Sequence, residues 1–69
     1  MNRQQLIQSL RDQNIPASHL ANEAATTIYG QPMAFRKSGY RAEITRLVNG
    51  KWTPFEYYST HVPDWAGTF

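Results

Sequence analysis

The chain contains no cysteine, so neither a disulfide framework nor a thiolate metal site is available to it. It has no apolar run approaching the length of a membrane span. The opening "MNRQQLIQSLRDQN" lacks the apolar stretch of a secretory leader. These absences lead to the expectation of a cytoplasmic protein with no membrane association. No glycine-rich phosphate loop, nucleophile elbow or dinucleotide fingerprint occurs. The serines Ser9, Ser18, Ser38 and Ser59 stand at no interpretable spacing from a base. His61 and Asp64 form H-x-x-D without a third ligand nearby in sequence, so no metal site is expected. Glu43 and Glu56 are the one carboxylate pair expected to come close together, and a flat sheet rarely gives such a pair a cleft. Catalysis and cofactors are therefore not expected.

What is present suits one small domain over residues 1–69. Two Trp, four Tyr and three Phe in 69 residues supply much of a core, because each buries a large area. The formal charge is only +2, but Arg36, Lys37, Arg41, Arg46 and Lys51 are five of the seven basic residues. Glu43 alone opposes them within that span, which marks them as a candidate basic patch.

Asn2 followed by Gln5 reads as a capping box, and Leu6, Ile7 and Leu10 form a thin apolar stripe to about Asn14. Residues 1–14 are thus expected as a loosely docked helix. "NIPASHLANEAATTIYG" reads as a turn and a second helix, capped by Ser18 or started at Pro16. Leu20, Ala21, Ala24, Ala25 and Ile28 lie on one face, and Gly30 and Pro32 stop it.

"MAFRK", "YRAEITRLV" and "KWTPFEYYS" read as three antiparallel strands. Asn49-Gly50 is a strong type I′ hairpin signal and sets the register: Val48 faces Lys51, Leu47 faces Trp52, Arg46 faces Thr53, Thr45 faces Pro54, and Ile44 faces Phe55. Continuing, Ala42 faces Tyr57 and Arg41 faces Tyr58. Pro54 lacks an outward N–H and marks its strand as an edge. Glu43 then falls opposite Glu56, which is unfavourable unless Arg41 and Tyr58 flank and relieve the pair or a bulge near Pro54 shifts the register. The expected fold is α+β: two N-terminal helices, then a three-stranded antiparallel meander with a helix packed on one face. The core face carries Tyr40, Ala42, Ile44, Phe55 and Tyr57. Residues 60–69 form a tail in which Trp65 and Phe69 are too apolar to hang free; they are expected to fold back onto the globule, with partner binding as the alternative.

The opposite face carries Arg41, Leu47, Trp52 and Tyr58, with Arg46 and Lys51 at the rim. Trp, Tyr and Arg dominate interface hot spots, so these six are the candidate partner-binding residues. The bland reading of Trp52 and Tyr58 is a second small core under the first helix or the tail. Nucleic-acid binding through Arg36, Lys37, Arg41, Arg46 and Lys51 is the alternative, with aromatics stacking on bases. A homodimer through the edge strand or the first helix is a third expectation.

Several of these segments also carry a resemblance. Pro16, Ser18, Ala21, Ala24, Thr26, Thr27 and Tyr29 precede an aromatic-Arg strand at Tyr40 and Arg41. A Gly-basic turn at Gly50 and Lys51 comes next, then Tyr57, Pro63 and Asp64. In this order they resemble the YkfF-like family of short enterobacterial prophage and plasmid proteins, over residues 16–67. The resemblance implies a helix-plus-antiparallel-sheet fold and brings no catalytic residues with it. It also implies a setting among accessory proteins of mobile elements. Such proteins commonly occlude a host complex, restriction and CRISPR effectors included.

Overall fold

A computed structural model describes residues 1–59 and 61–69, with the backbone alone over 56–59. The chain is α+β, with two helices and five strands, where the sequence suggested three strands. The elements are α1 (Arg3–Asp12), β1 (His19–Ala21), α2 (Glu23–Tyr29), β2 (Met33–Ser38), β3 (Arg41–Val48), β4 (Lys51–Ser59) and β5 (Ala66–Thr68). The strands form one antiparallel sheet in the order β4-β3-β2-β1-β5. No helix among the described residues is long and apolar enough to cross a membrane.

Local chemistry explains both ends of α1. The Asn2 side chain accepts from the Gln5 N–H, and the Gln5 side chain accepts from the Asn2 N–H, as the capping box requires. At the other end Asn14 takes the left-handed conformation at φ 54°. The Ile15 N–H then reaches the Leu10 carbonyl, and the Asn14 N–H reaches that of Arg11. This is a Schellman termination, completed by Ile15 packing on the cluster that contains Leu10.

The helix is not a loose arm. Leu6 and Leu10 are buried against Leu20, Ala34 and Trp52. Arg3 donates to the carbonyls of Gly67 and Thr68 on β5, at 3.3 Å each. Gln13 accepts from the Trp52 N–H of β4 at 2.8 Å and donates to the carbonyl of Gly50, in the turn just before β4, at 3.2 Å. Four inter-strand gaps of about 4.8 Å separate the two edge strands. A ten-residue helix is about 15 Å long, so α1 with its long end residues bridges the sheet diagonally from edge to edge.

The second helix starts later than expected. Ser18 is not its cap: its N–H bonds the Phe35 carbonyl at 2.8 Å, and His19–Ala21 is a strand between β2 and β5. The cap is Asn22, which accepts from the Ala25 N–H at 2.9 Å. Strand geometry sends Leu20 and Ala21 to opposite faces, and both are buried there. A helix would have stacked them on one side and left the other core short of Leu20. Only Ala25 of α2 is buried, while Ile28 is 78% exposed. Gly30 at φ 74° ends the helix, its N–H on the Thr26 carbonyl.

Each face of the sheet therefore has its own core. Leu20, Ala34 and Trp52 lie under α1, and Ala21, Met33, Phe35 and Ile44 lie under Ala25 and Trp65. The expected tail does fold back. It pairs with β1 as β5, with Leu20 opposite Gly67, and Trp65 packs edge-on to Phe35 at 5.1 Å. Phe69 remains 37% exposed.

The Asn49-Gly50 hairpin has the expected register from Val48–Lys51 to Ile44–Phe55. Beyond it a bulge intervenes, so Ala42 faces Ser59 rather than Tyr57, and the expected Glu43–Glu56 pairing is not made. Glu43 lies opposite Arg36 on β2 instead. β4 is an edge, as Pro54 requires.

Candidate functional site

The structure divides the expected contact surface. Trp52 was expected on an open face, but it is only 5% exposed, beneath α1. Its indole Nε1 donates to Ser9 Oγ at 2.9 Å, so even its polar edge is occupied from within the chain. The alternation along the strand was sound, but the face it pointed to is the one α1 covers. Leu47 is half-buried against the same cluster. The Tyr58 side chain lies outside the described residues. Arg41 is exposed and Lys51 is exposed, at opposite ends of the β3–β4 pair.

The expected basic patch is likewise split. Arg36, Lys37 and Arg41 gather at the β2–β3 tip, where Ser38 pairs with Arg41 around Gly39-Tyr40. Gly39 at φ 60° supplies the first turn position. Tyr40 is therefore a tip residue, 88% exposed, and not part of the core. Arg46 and Lys51 lie toward the other end of β3, with Lys51 about 24 Å away at the usual rise per residue.

Arg46 belongs to a different site. It shares the α2-side face with Met33 and Thr53, its neighbours in register. Its guanidinium lies over the Phe55 ring, 3.6 Å from the centroid. A recess of about 250 Å³ opens here. Its walls are Tyr29, Phe55, Pro63 and Trp65, and Met33, Ile44 and Arg46 complete it. The Tyr29 and Trp65 rings stand 5.7 Å apart. Tyr29 is 52% exposed and Phe55 is 45% exposed. Among the described residues, Arg46 Nε is the one buried side-chain nitrogen or oxygen without a hydrogen-bond partner.

Sequence reasoning placed Phe55 in the core and Trp65 back on the globule, and Tyr29 entered only through the family resemblance. Phe55 does point to the expected face, but α2 is too short and too alanine-rich to cover the β4 side of it. No sequence signal showed this, because the helix start at Asn22 and the two added strands arise from tertiary pairing.

A second hollow of about 660 Å³ lies between the start of α1 and α2, with Leu6, Leu20, Pro32 and Leu47 in its lining. Three of the polar groups beside it are already engaged, while the Glu23 carboxylate at its border would oppose an anion. Arg3 bonds β5, and the Thr26 and Thr27 hydroxyls bond the carbonyls of Asn22 and Glu23.

Other chemistry is thin. Ser18 Oγ lies 2.8 Å from His19 Nδ1, a contact between chain neighbours that spacing arguments had passed over. His61 and Asp64 approach to 3.9 Å in the open, and no group of three or more metal-ligating residues occurs among the described residues. No family model, curated protein or solved structure matches the chain.

Proposed function

We propose that the protein is a small non-catalytic accessory protein that binds a host protein complex through the α2 side of its sheet. The observation carrying this reading is the aromatic recess. Tyr29 and Phe55 stay half open beside Trp65 and a partly buried arginine, the residue types that anchor protein interfaces. Val48, 40% exposed on the same face, extends the apolar area. Pairing of a partner strand along β4 is less favoured. Gln13 takes the outward N–H of Trp52, and Pro54 has none to offer. A mobile-element setting, with inhibition of a defence system such as CRISPR or restriction, rests on the resemblance to the YkfF-like family alone.

The test is affinity capture from an enterobacterial host with the full chain as bait. The Tyr29→Ala/Phe55→Ala double variant should hold the partner at least about 100-fold more weakly, since hot-spot residues contribute 2 kcal/mol or more each. Its melting temperature should fall by less than a core truncation would cause, because both rings are about half exposed. Undiminished capture by the double variant would place the contact elsewhere.

A second reading, nucleic-acid binding, is favoured by one feature: Tyr40 projects from the β2–β3 tip among Arg36, Lys37 and Arg41. Glu43, opposite Arg36, weakens it. A gel shift with single-stranded DNA checks it. Binding should weaken steeply with salt, and replacing the three cations by alanine should flatten the log–log slope by about 2. Absence of any shift at low salt removes this reading.

A further inference from the structure

We propose that the recess between α2, the loop around Pro63–Trp65 and the β3–β4 pair recognises an acidic side chain flanked by an apolar one on a protein partner. The proposal deepens the protein-binding reading and rests on it.

The unmet hydrogen-bonding capacity is specific. Arg46 Nε is buried and unpartnered, and an unsatisfied buried donor is costly in the free protein. The guanidinium carbon lies 3.6 Å from the centre of the Phe55 ring, which keeps the charged group at the wall of the recess. A carboxylate matches the two parallel N–H bonds along a guanidinium edge, with one charge against one. It reaches Nε once the guanidinium turns toward the opening.

The surroundings fit the same occupant. The strand positions on this face carry Lys37, Arg46 and Lys51, and none of the described ones is Asp or Glu. Asp64, on the bordering loop, faces His61. The recess, at about 250 Å³, is smaller than the roughly 300–1,000 Å³ of small-molecule sites. It suits an anchor side chain rather than a whole ligand. Its walls are aromatic and aliphatic, so the residue next to the acid should be apolar. A phosphate would need more donors than one guanidinium edge. Among the described residues, no second cation lines the recess.

The test uses the ¹⁵N-labelled full chain and a capped hexapeptide alternating Glu and Leu. Saturable shifts are expected at the Arg46 Nε–H and the Trp65 indole N–H. The Trp52 indole, bonded to Ser9 on the opposite face, should not move and reports an intact fold. The matching Gln/Leu peptide should bind about tenfold more weakly, the difference expected for a charge-assisted pair. Arg46→Met should abolish binding, and Arg46→Lys, which keeps the charge but loses the fork, should recover only part of it. Equal binding of the Glu and Gln peptides, or no binding of either, overturns the proposal. So does preferential occupation of these resonances by inorganic phosphate or an oligothymidine. If Tyr29→Ala/Phe55→Ala loses the captured partner while Arg46→Met keeps it, the acidic ligand fails and the protein-binding surface stands. If neither variant loses it, both fail.

Discussion

Replacing Trp52 by alanine should cost about 3–5 kcal/mol, the range for truncating a large buried aromatic. A chain of 69 residues has a total stability of only about 3–10 kcal/mol at typical values per residue. The variant should therefore be largely unfolded or melt far below the parent. The reason is positional. Trp52 is the β4 contribution to the core under α1, packed with Leu6, Leu10, Leu20 and Ala34. Its backbone N–H and its indole are both held from the helix side, by Gln13 and Ser9. Losing the ring thus loosens the brace between the two edges of the sheet. Trp52→Phe separates packing from hydrogen bonding. It keeps an aromatic and removes the bond to Ser9 Oγ, and should cost roughly 1–3 kcal/mol. Urea denaturation followed by far-UV circular dichroism measures both. An alanine variant within 1 kcal/mol of the parent would mean that α1 does not depend on this core.

Phe35→Ala should be comparably damaging, again about 3–5 kcal/mol. Phe35 is fully buried at the centre of the other face. It meets Trp65 edge-on at 5.1 Å, a geometry that adds about 0.5–1.5 kcal/mol beyond buried area. Trp65 in turn anchors the tail: its carbonyl accepts from the Asn22 N–H, and Ala66 pairs with Ala21. Emptying the Phe35 site should release Trp65 toward water and fray β5. Its fluorescence should then redshift under conditions where far-UV circular dichroism still shows a sheet. Phe35→Leu fills part of the volume but loses the edge-on contact, and should cost less than the alanine change. An unshifted Trp65 emission in Phe35→Ala would show that the tail docks by backbone pairing alone. The same substitution should remove one wall of the recess, so stability and partner capture fall together here. In Tyr29→Ala/Phe55→Ala they should separate.

The resemblance and the structure bear on different matters. The structure gives the helix-plus-antiparallel-sheet fold, and the partner is tested by capture. The recess lies partly on Tyr29 and Pro63, which belong to the segments that carry the resemblance. Arg46 and Phe55 also fall within residues 16–67, which the resemblance spans, but are not among its matched positions.

The sequence by itself determined the elements whose chemistry is local. Asn2 and Gln5 cap α1 because both partners sit within one turn. Asn49-Gly50 sets the hairpin register as far as Phe55 because a two-residue turn admits little else. Pro54 declares an edge because it lacks the N–H an inner strand would need. The tertiary structure decided what no local signal carries. β1 and β5 are three residues each, too short for a periodic pattern, and they pair only because His19 and Thr68 are brought together from opposite ends of the chain. Alternation could place Trp52 beside Leu47, but not say whether water or a helix lay above them. That depended on α1, pinned at Arg3 and Gln13 to strands distant in sequence. Once α1 covered that face, the short α2 left the β4 side of the other open. The exposed aromatic site thus passed from Trp52 to Tyr29, Phe55 and Trp65, because burial is settled by which surfaces meet, and strand alternation settles only which residues share one.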